Sequence, residues 1–181
     1  ELASGGTDAW VPRLDAVLRH VAARGIRTWS GSFWAGVGQS TIATSAGLRA
    51  EARGLGGDIA VRGRFGRLQG DEVLLRQAFS NLLRNAIEAC AAESIAPLVV
   101  IESDIDMIRG TARITVDDNG PGIDPSARDR VFQPFFTSKG SGTGLGLALV
   151  QKIIVFHNGR IVVSSSELGG ASLQVSLPTV S

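Results

Sequence analysis

The sequence predicts an α+β fold, a two-layer α/β sandwich in which a mixed, mostly antiparallel sheet is covered on one face by helices. Apolar residues recur at helical spacing in long segments, and β-rich runs occur in pairs that are joined by short turns. Strands and helices do not alternate regularly, so a parallel Rossmann-type sheet is disfavoured.

The first 57 residues combine a helical pattern with an irregular stretch. From Val11 to Arg24 apolar residues recur at helical spacing, and Gly25 stands where a helix would stop. We therefore expect a helix, followed by a strand from Ile26. Residues 30 to 57 are rich in Gly, Ala, Ser and Thr without a clear period, which favours an irregular segment or an insertion.

A central helix is predicted after Asp71, a suitable N-cap residue. Its apolar side consists of Leu75, Phe79, Leu82, Leu83, Ala86, Ile87 and Cys90. Its polar side carries Gln77, Asn81, Asn85 and Glu88. This polar stripe is the first candidate for a functional surface.

Two hairpins enclose a second helix. The runs 98 to 107 and 112 to 118 predict the first hairpin, and the alternation in its second strand puts Asp118 on the apolar, inward face. Residues 145 to 156 predict an almost wholly apolar helix that ends at Asn158 and Gly159. Residues 160 to 166 and 171 to 177 predict a closing hairpin that turns at Gly169 and Gly170.

Composition and charge narrow the class of protein. The chain has 181 residues, 44% of them hydrophobic, which suits one well-buried domain over residues 1 to 181. The net charge of +1 and the scattered basic residues do not favour nucleic acid as a partner. Cys90 is the single cysteine of the sequence, so it cannot form a disulfide within one chain. The sequence shows no pattern of a membrane span or a signal peptide. We expect a cytoplasmic fragment without membrane contact, whatever anchor the whole protein carries.

Asn81 and Asn85 lie four residues apart and therefore project from the same side of one helix. An amide oxygen is a hard ligand that suits Mg²⁺, which takes few protein groups when phosphates supply the rest. Ordinary helix-surface asparagines are the alternative for this pair.

The second motif is Asp-Asp-Asn-Gly-Pro-Gly-Ile at residues 117 to 123, where a predicted strand ends. A buried carboxylate at Asp118 needs hydrogen-bond donors, and the exocyclic amine of an adenine is a suitable one. Gly120 and Gly122 would let the backbone approach a flat ring. The alternative is an ordinary Asp-Asn-Gly turn.

The third motif is the glycine-rich run 140 to 149, which leads directly into the apolar helix. Backbone N–H groups at the start of a helix bind phosphate oxygens. The candidate phosphate-binding residues are Gly142, Thr143, Gly144, Leu145 and Gly146. The run matches neither the dinucleotide fingerprint nor a P-loop, and a flexible linker is the alternative.

Aromatic residues separate these two motifs. Phe132, Phe135 and Phe136 flank a proline and are candidates for anchoring a lid over the site, and the alternative is that they fill the core. Lys139 follows them and is a candidate phosphate contact.

Taken in chain order, these segments resemble the four motifs of the catalytic domain of sensor histidine kinases. The N box corresponds to Asn81 to Ala89, the G1 box to Asp118-x-Gly120-x-Gly122, the F box to Phe132 to Phe136, and the G2 box to Gly142 to Leu147. The resemblance covers about residues 68 to 178, and the stretch LLRQAFSNLLRNAIEAC is similar to the nitrogen-regulation class of these kinases. Each motif is weak alone, but four in this order are highly specific.

The resemblance implies the Bergerat ATP-binding fold of the GHKL superfamily, and it implies ATP and Mg²⁺ as ligands. Asn85 would coordinate Mg²⁺, Asn81 would order the metal or a nearby water, and Asp118 would bind the adenine amine. The segment from Phe132 to Gly144 would be the ATP lid.

Two features depart from the family pattern. Many members carry Lys or Arg three residues after the metal-binding Asn, whereas this chain has Glu88. The chain also contains no phosphoacceptor box, and His20 and His157 both stand in contexts that favour structural roles.

The implied function is transfer of the γ-phosphoryl group of ATP to a histidine on a separate dimerisation domain, with a response regulator receiver domain as the further partner. One alternative is a nucleotide-dependent interaction module without phosphoryl transfer. Another is the related serine kinase that acts on an anti-sigma antagonist.

Overall fold

The computed structural model describes residues 52 to 65, 68, 70 to 137 and 144 to 179. The predicted helix from Val11 to Arg24 and the strand from Ile26 lie outside the described residues, as does the stretch 30 to 51. That the whole chain is one domain stays a prediction. In the described part of the chain, no helix is both long enough and apolar enough to cross a membrane.

In the part of the chain that the structure describes, five strands form one mixed sheet, and two long α-helices pack against it. In chain order the elements are β1 (Asp58–Gly63), α1 (Glu72–Ala92), β2 (Leu98–Asp106), β3 (Thr111–Asp118), α2 (Gly146–Phe156), β4 (Arg160–Ser165) and β5 (Ala171–Pro178). The strand order is β1-β2-β3-β5-β4. Only β1 and β2 pair in parallel, so the predicted mixed, mostly antiparallel sheet is confirmed.

The helix α1 forms as its sequence pattern predicts. Asp71 is the N-cap, and its carboxylate accepts a hydrogen bond from the Leu74 N–H at 3.0 Å. Glu72 in the first turn pairs with Arg76 one turn later and complements the helix dipole. Every residue of the predicted apolar side is buried.

The core lies between the two helices and one face of the sheet. Alternate residues of each strand face it, and the register aligns Val99 with Asp118, Ile101 with Val116, and Val116 with Leu173. The other face of β3 carries Arg113, Thr115 and Asp117, which are exposed or half-buried. Among the described residues, α1 and α2 therefore lie on the face opposite these side chains, as predicted.

The sequence reading missed β1. Ile59 is its one fully buried residue and Val61 is half-buried, so the strand offers little alternation to detect. Ile59 and Ala52 both belong to the same core as the helices. The packed unit therefore begins before residue 68, where the motif-bearing segment was expected to start.

The end of α2 follows the prediction within one residue. Asn158 adopts a positive φ of 54°, and the Gly159 N–H donates to the Ile154 carbonyl at 2.9 Å. His157 is buried at this end and joins the two helices. Its Nε2 accepts from the Asp71 N–H at 2.9 Å, and its Nδ1 bonds to the Ile153 carbonyl at 2.7 Å.

Candidate nucleotide-binding site

Asp118 is buried at the inward-facing end of β3, as its strand register predicts. Its Oδ1 accepts hydrogen bonds from the Gly120 N–H at 2.9 Å and from the Ala171 N–H at 3.1 Å. Two backbone donors offset part of the desolvation cost of a buried carboxylate and fix its orientation. The structure thus keeps an acidic group inside the molecule at the place where the sequence predicts an adenine contact.

The two glycines of the Asp118-x-Gly120-x-Gly122 motif lie against other parts of this region. A Cβ on Gly120 would stand 3.1 Å from Asp118 Oδ1 and 3.4 Å from the Cys90 thiol sulphur. Gly122 has a φ of +76°, and a Cβ there would meet the Gly170 carbonyl at 3.4 Å. The motif is therefore close-packed against both α1 and the β4–β5 turn.

Asn119 ties this loop to the rest of the fold, a role that the sequence reading missed. Its Oδ1 accepts from the Leu98 N–H at 2.8 Å, and its Nδ2 donates to the Ala96 carbonyl at 3.1 Å. The Cys90 thiol also donates to Asn119 Oδ1 at 3.3 Å. Burial, and secondarily the charge of Asp118, raises the pKa of the Cys90 thiol, which fits a buried cysteine on the predicted apolar side of α1.

Asn85 lies half-buried on α1 and faces the beginning of α2. A Cβ on Gly146, the first residue of α2, would stand 3.5 Å from Asn85 Nδ2 and 3.6 Å from Asn85 Oδ1. Asn81, one turn earlier on α1, is also half-buried. The predicted amide pair is thus on the side of α1 that leads to the glycine-rich segment.

The start of α2 is the candidate phosphate-binding position. Leu145 occupies the N-cap position and provides no side-chain hydrogen bond to the first turn, and no acidic residue stands in that turn. The first N–H groups of an α-helix have no partner inside the helix, and together with the helix dipole they favour negative charge at this end of the 11-residue α2. The candidate residues Leu145 and Gly146 therefore lie where phosphate oxygens are favoured.

The predicted lid aromatics occupy different environments. Phe132 is half-buried and packs against the core, whereas Phe135 is 46% exposed and has a φ of 65°. Phe136 is half-buried, and the Arg130 guanidinium lies 4.8 Å from the centre of its ring. Only Phe132 fits the core-filling alternative, so the segment is anchored at its start and exposed further along.

Gly144 fixes the other end of this segment. The Phe135 N–H donates to the Gly144 carbonyl at 3.0 Å, and Gly144 has a φ of +65°. A Cβ there would come within 2.5 Å of the Phe135 carbonyl carbon, so only glycine fits. Three predicted site residues, Lys139, Gly142 and Thr143, lie outside the described residues, and their roles stay predictions.

A buried acidic side chain, a helix carrying paired amides and an uncapped helix start are the parts of an ATP-binding fold of the Bergerat type. The comparisons agree with this class. Residues 70–181 match the model of the family described as histidine kinase-, DNA gyrase B-, and HSP90-like ATPase. The chain belongs to this family.

Similar proteins include sensor kinases. The chain is 42% identical over 114 residues to sensor histidine kinase ZraS of Salmonella typhimurium, covering 63% of this chain and 24% of that protein. It is 42% identical over 112 residues to signal transduction histidine-protein kinase AtoS of Escherichia coli, covering 61% of this chain and 18% of that protein. The chain thus spans less than a quarter of the length of these relatives.

Solved structures give the same fold. The catalytic domain of histidine kinase ThkA superposes with a TM-score of 0.70 at 27% identity, covering 79% of this chain and 94% of that one. The mycobacterial sensor histidine kinase MprB superposes with a TM-score of 0.65 at 26% identity, covering 78% and 92%. The predicted α+β class and the histidine kinase resemblance are both confirmed.

Proposed function

We propose that this chain is the catalytic and ATP-binding domain of a two-component sensor histidine kinase, which binds Mg·ATP and donates its γ-phosphoryl group to a histidine on a separate dimerisation domain. The observation that carries the proposal is the approach of Asn85 to the first residue of α2, on the helix whose Cys90 lies near the Gly120 loop that follows the buried Asp118. Metal, phosphate and base contacts then belong to one site.

The residues present fit the proposed ligands. A neutral amide oxygen at Asn85 is a suitable Mg²⁺ ligand when phosphates complete the coordination, and the bound metal would neutralise phosphate charge. Asp118 would accept a hydrogen bond from the adenine amine. Asn85 lies five residues before Cys90, whose sulphur would stand 3.4 Å from a Cβ on Gly120, so about 7.5 Å along the axis of α1 separates the proposed metal ligand from the proposed adenine region.

Phosphoryl transfer depends on positioning and charge neutralisation more than on covalent help from the enzyme. In the proposed reaction the lone pair of an imidazole nitrogen of the partner domain forms a bond to the γ-phosphorus while the bond to the β–γ bridging oxygen breaks, and the proton on the other ring nitrogen passes to a base of that domain or to solvent. ADP leaves with that oxygen. The N–H groups at the start of α2 would hold the phosphates, and the segment after Phe132 would exclude water. The phosphoryl group would then pass to the receiver domain of a response regulator.

The experiment that tests this function supplies the acceptor in trans. The 181-residue chain is incubated with radiolabelled ATP and Mg²⁺, alone and with a helical histidine dimerisation domain from a nitrogen-regulation-class kinase. We expect acid-labile, alkali-stable label on the added domain. We expect none on His157, because both of its ring nitrogens are already hydrogen-bonded, and none on His20, because it does not stand in a phosphoacceptor box.

Other outcomes separate the alternatives. Nucleotide binding without label on several such acceptors would favour an interaction module. Acid-stable label on a serine of an added anti-sigma antagonist would favour the serine kinase. Retained label on His20 or His157 would contradict the need for a separate acceptor.

A further inference from the structure

The turn between β4 and β5 contacts the proposed adenine-binding carboxylate, although it lies outside all four sequence motifs. The Ala171 N–H donates to Asp118 Oδ1 at 3.1 Å, and the Gly170 N–H donates to the Asp118 carbonyl oxygen at 3.2 Å. Asp118 therefore accepts one hydrogen bond at its side chain and one at its backbone from residues that lie more than 50 positions further along the chain.

Gly170 stands so close to Asp118 that no side chain fits there. A Cβ on Gly170 would lie 2.2 Å from Asp118 Oδ1, 2.4 Å from its carbonyl oxygen and 2.6 Å from the Gly120 nitrogen. Contacts this short require the carboxylate or the backbone to move. The reason for a glycine at this position is thus the close approach of the carboxylate, and not a turn conformation.

We propose that Gly170 and Ala171 are positioning residues that hold the Asp118 carboxylate in the orientation needed to recognise adenine. The inference rests on the proposed function, in which Asp118 accepts a hydrogen bond from the base. The Gly120 and Ala171 N–H groups fix Oδ1 from two sides, so the carboxylate is oriented before the nucleotide arrives. Such preorganisation improves affinity by reducing the ordering cost on binding.

The chemistry of the base makes orientation a matter of selectivity. Adenine presents an amine donor where guanine presents a carbonyl acceptor. A correctly oriented carboxylate therefore favours adenine and repels guanine, whereas a displaced one loses the adenine bond and the discrimination together.

The test compares Gly170→Ala with Gly159→Ala. Gly159 precedes the other strand of the same hairpin, and a Cβ there would meet the Ser176 carbonyl oxygen at 2.5 Å, a similar backbone clash with no contact to Asp118. Calorimetry measures ATP and GTP affinity with the full 181-residue chain. We expect Gly170→Ala to weaken ATP binding about 10- to 100-fold, the range of a hydrogen bond to a charged group, and to reduce the preference for ATP over GTP. Gly159→Ala should keep both the ATP affinity and the preference of the wild type.

The inference is overturned if folded Gly170→Ala binds ATP within about threefold of the wild type with the same preference. It is equally overturned if Gly159→Ala loses the preference to the same extent. Should wild type fail to bind ATP, the proposed function itself is wrong. If Asp118→Asn abolishes binding while Gly170→Ala does not, only the present inference fails.

An NMR measurement decides the question if Gly170→Ala does not fold. ATP should shift the Ala171 amide resonance of the wild-type chain, and GTP at the same concentration should not. In Asp118→Ala the same amide should move upfield, because it loses its carboxylate acceptor. An Ala171 amide that is indifferent to both the nucleotide and the substitution contradicts the proposal.

Discussion

At the scale of single residues, the described part of the candidate site contains side-chain positions that the sequence predicts and contacts that it does not. Asp118 was predictable because strand alternation places it inward, and Asn85 because four-residue spacing pairs it with Asn81. The contact of Gly170 with Asp118 was not predictable, since it joins segments far apart in the chain. The Gly169-Gly170 pair indicated a turn and nothing more.

The prediction for a single residue concerns Asn85 and the Mg²⁺ dependence of ATP binding. If its amide oxygen coordinates Mg²⁺, Asn85→Ala should remove most of the gain in ATP affinity that Mg²⁺ provides. ATP affinity in the presence of Mg²⁺ should fall about tenfold or more, since even substitution of a residue that only supports a metal ligand costs 10- to 100-fold. Affinity measured in EDTA should stay close to that of the wild type. Isothermal titration with and without Mg²⁺ measures both quantities.

Gln77→Ala is the matched control, because Gln77 is exposed on the same polar side of α1, two turns before Asn85. It should leave the Mg²⁺ dependence unchanged. If Mg²⁺ raises the ATP affinity of Asn85→Ala as much as that of Gln77→Ala, the assignment of Asn85 as the metal ligand is wrong.

At the scale of elements, local patterns predicted α1, α2 and both hairpins to within a residue or two. Each has a strong local signal, such as the Asp71 cap or the alternation of β3. β1 was missed because it pairs in parallel with β2, and the whole of α1 separates these two strands in the sequence. No local period reveals such a pairing.

The junction of the two helices at His157 predicts a pH dependence of stability. Burial lowers the pKa of His157 below its ordinary 6.5. The neutral ring accepts from the Asp71 N–H, and protonation would remove that acceptor. The unfolded chain takes up the proton first as the pH falls, so the contribution of His157 is complete above pH 6.5 and declines below it.

Urea unfolding of wild type and His157→Gln at several pH values measures this effect. The free energy of unfolding of the wild type should exceed that of the variant above pH 7, and the difference should narrow toward pH 5, about the span over which a histidine titrates. Val155→Ala, at an exposed position of α2, should show a difference that does not vary with pH. A constant difference for His157→Gln would contradict the role of its neutral ring.

At the scale of the whole molecule, the sheet register and the helix layer bring distant motifs together. Asp118 ends β3, and the β4–β5 turn lies against it. Cys90 of α1 lies beside the Gly120 loop that follows, and Asn85 of the same helix faces the start of α2. The sequence predicted this α+β layering because family motifs and hairpin patterns agree. It could not predict the strand order, which depends on non-local pairing.

This convergence predicts that nucleotide binding stabilises the whole fold through Asp118. A ligand that binds only the folded state adds about 2.7 kcal/mol at a hundred times its Kd, which corresponds to a rise in Tm on the order of 5–10 °C for a domain of this size. Mg·ATP should therefore raise the melting temperature of the wild-type chain. Asp118→Asn should abolish the rise, because an amide nitrogen replaces one carboxylate oxygen and offers a donor where the adenine amine needs an acceptor.

Asp118→Asn suits this test better than alanine because its remaining oxygen can still accept from Gly120 and Ala171, so the fold keeps those bonds. Asp117→Asn is the matched control, since Asp117 lies on the opposite face of the same strand. It should melt with the same Mg·ATP-dependent rise as the wild type. An undiminished rise in Asp118→Asn would mean that the nucleotide binds elsewhere, because a buried carboxylate that contacts the base cannot be neutralised without loss of that contact.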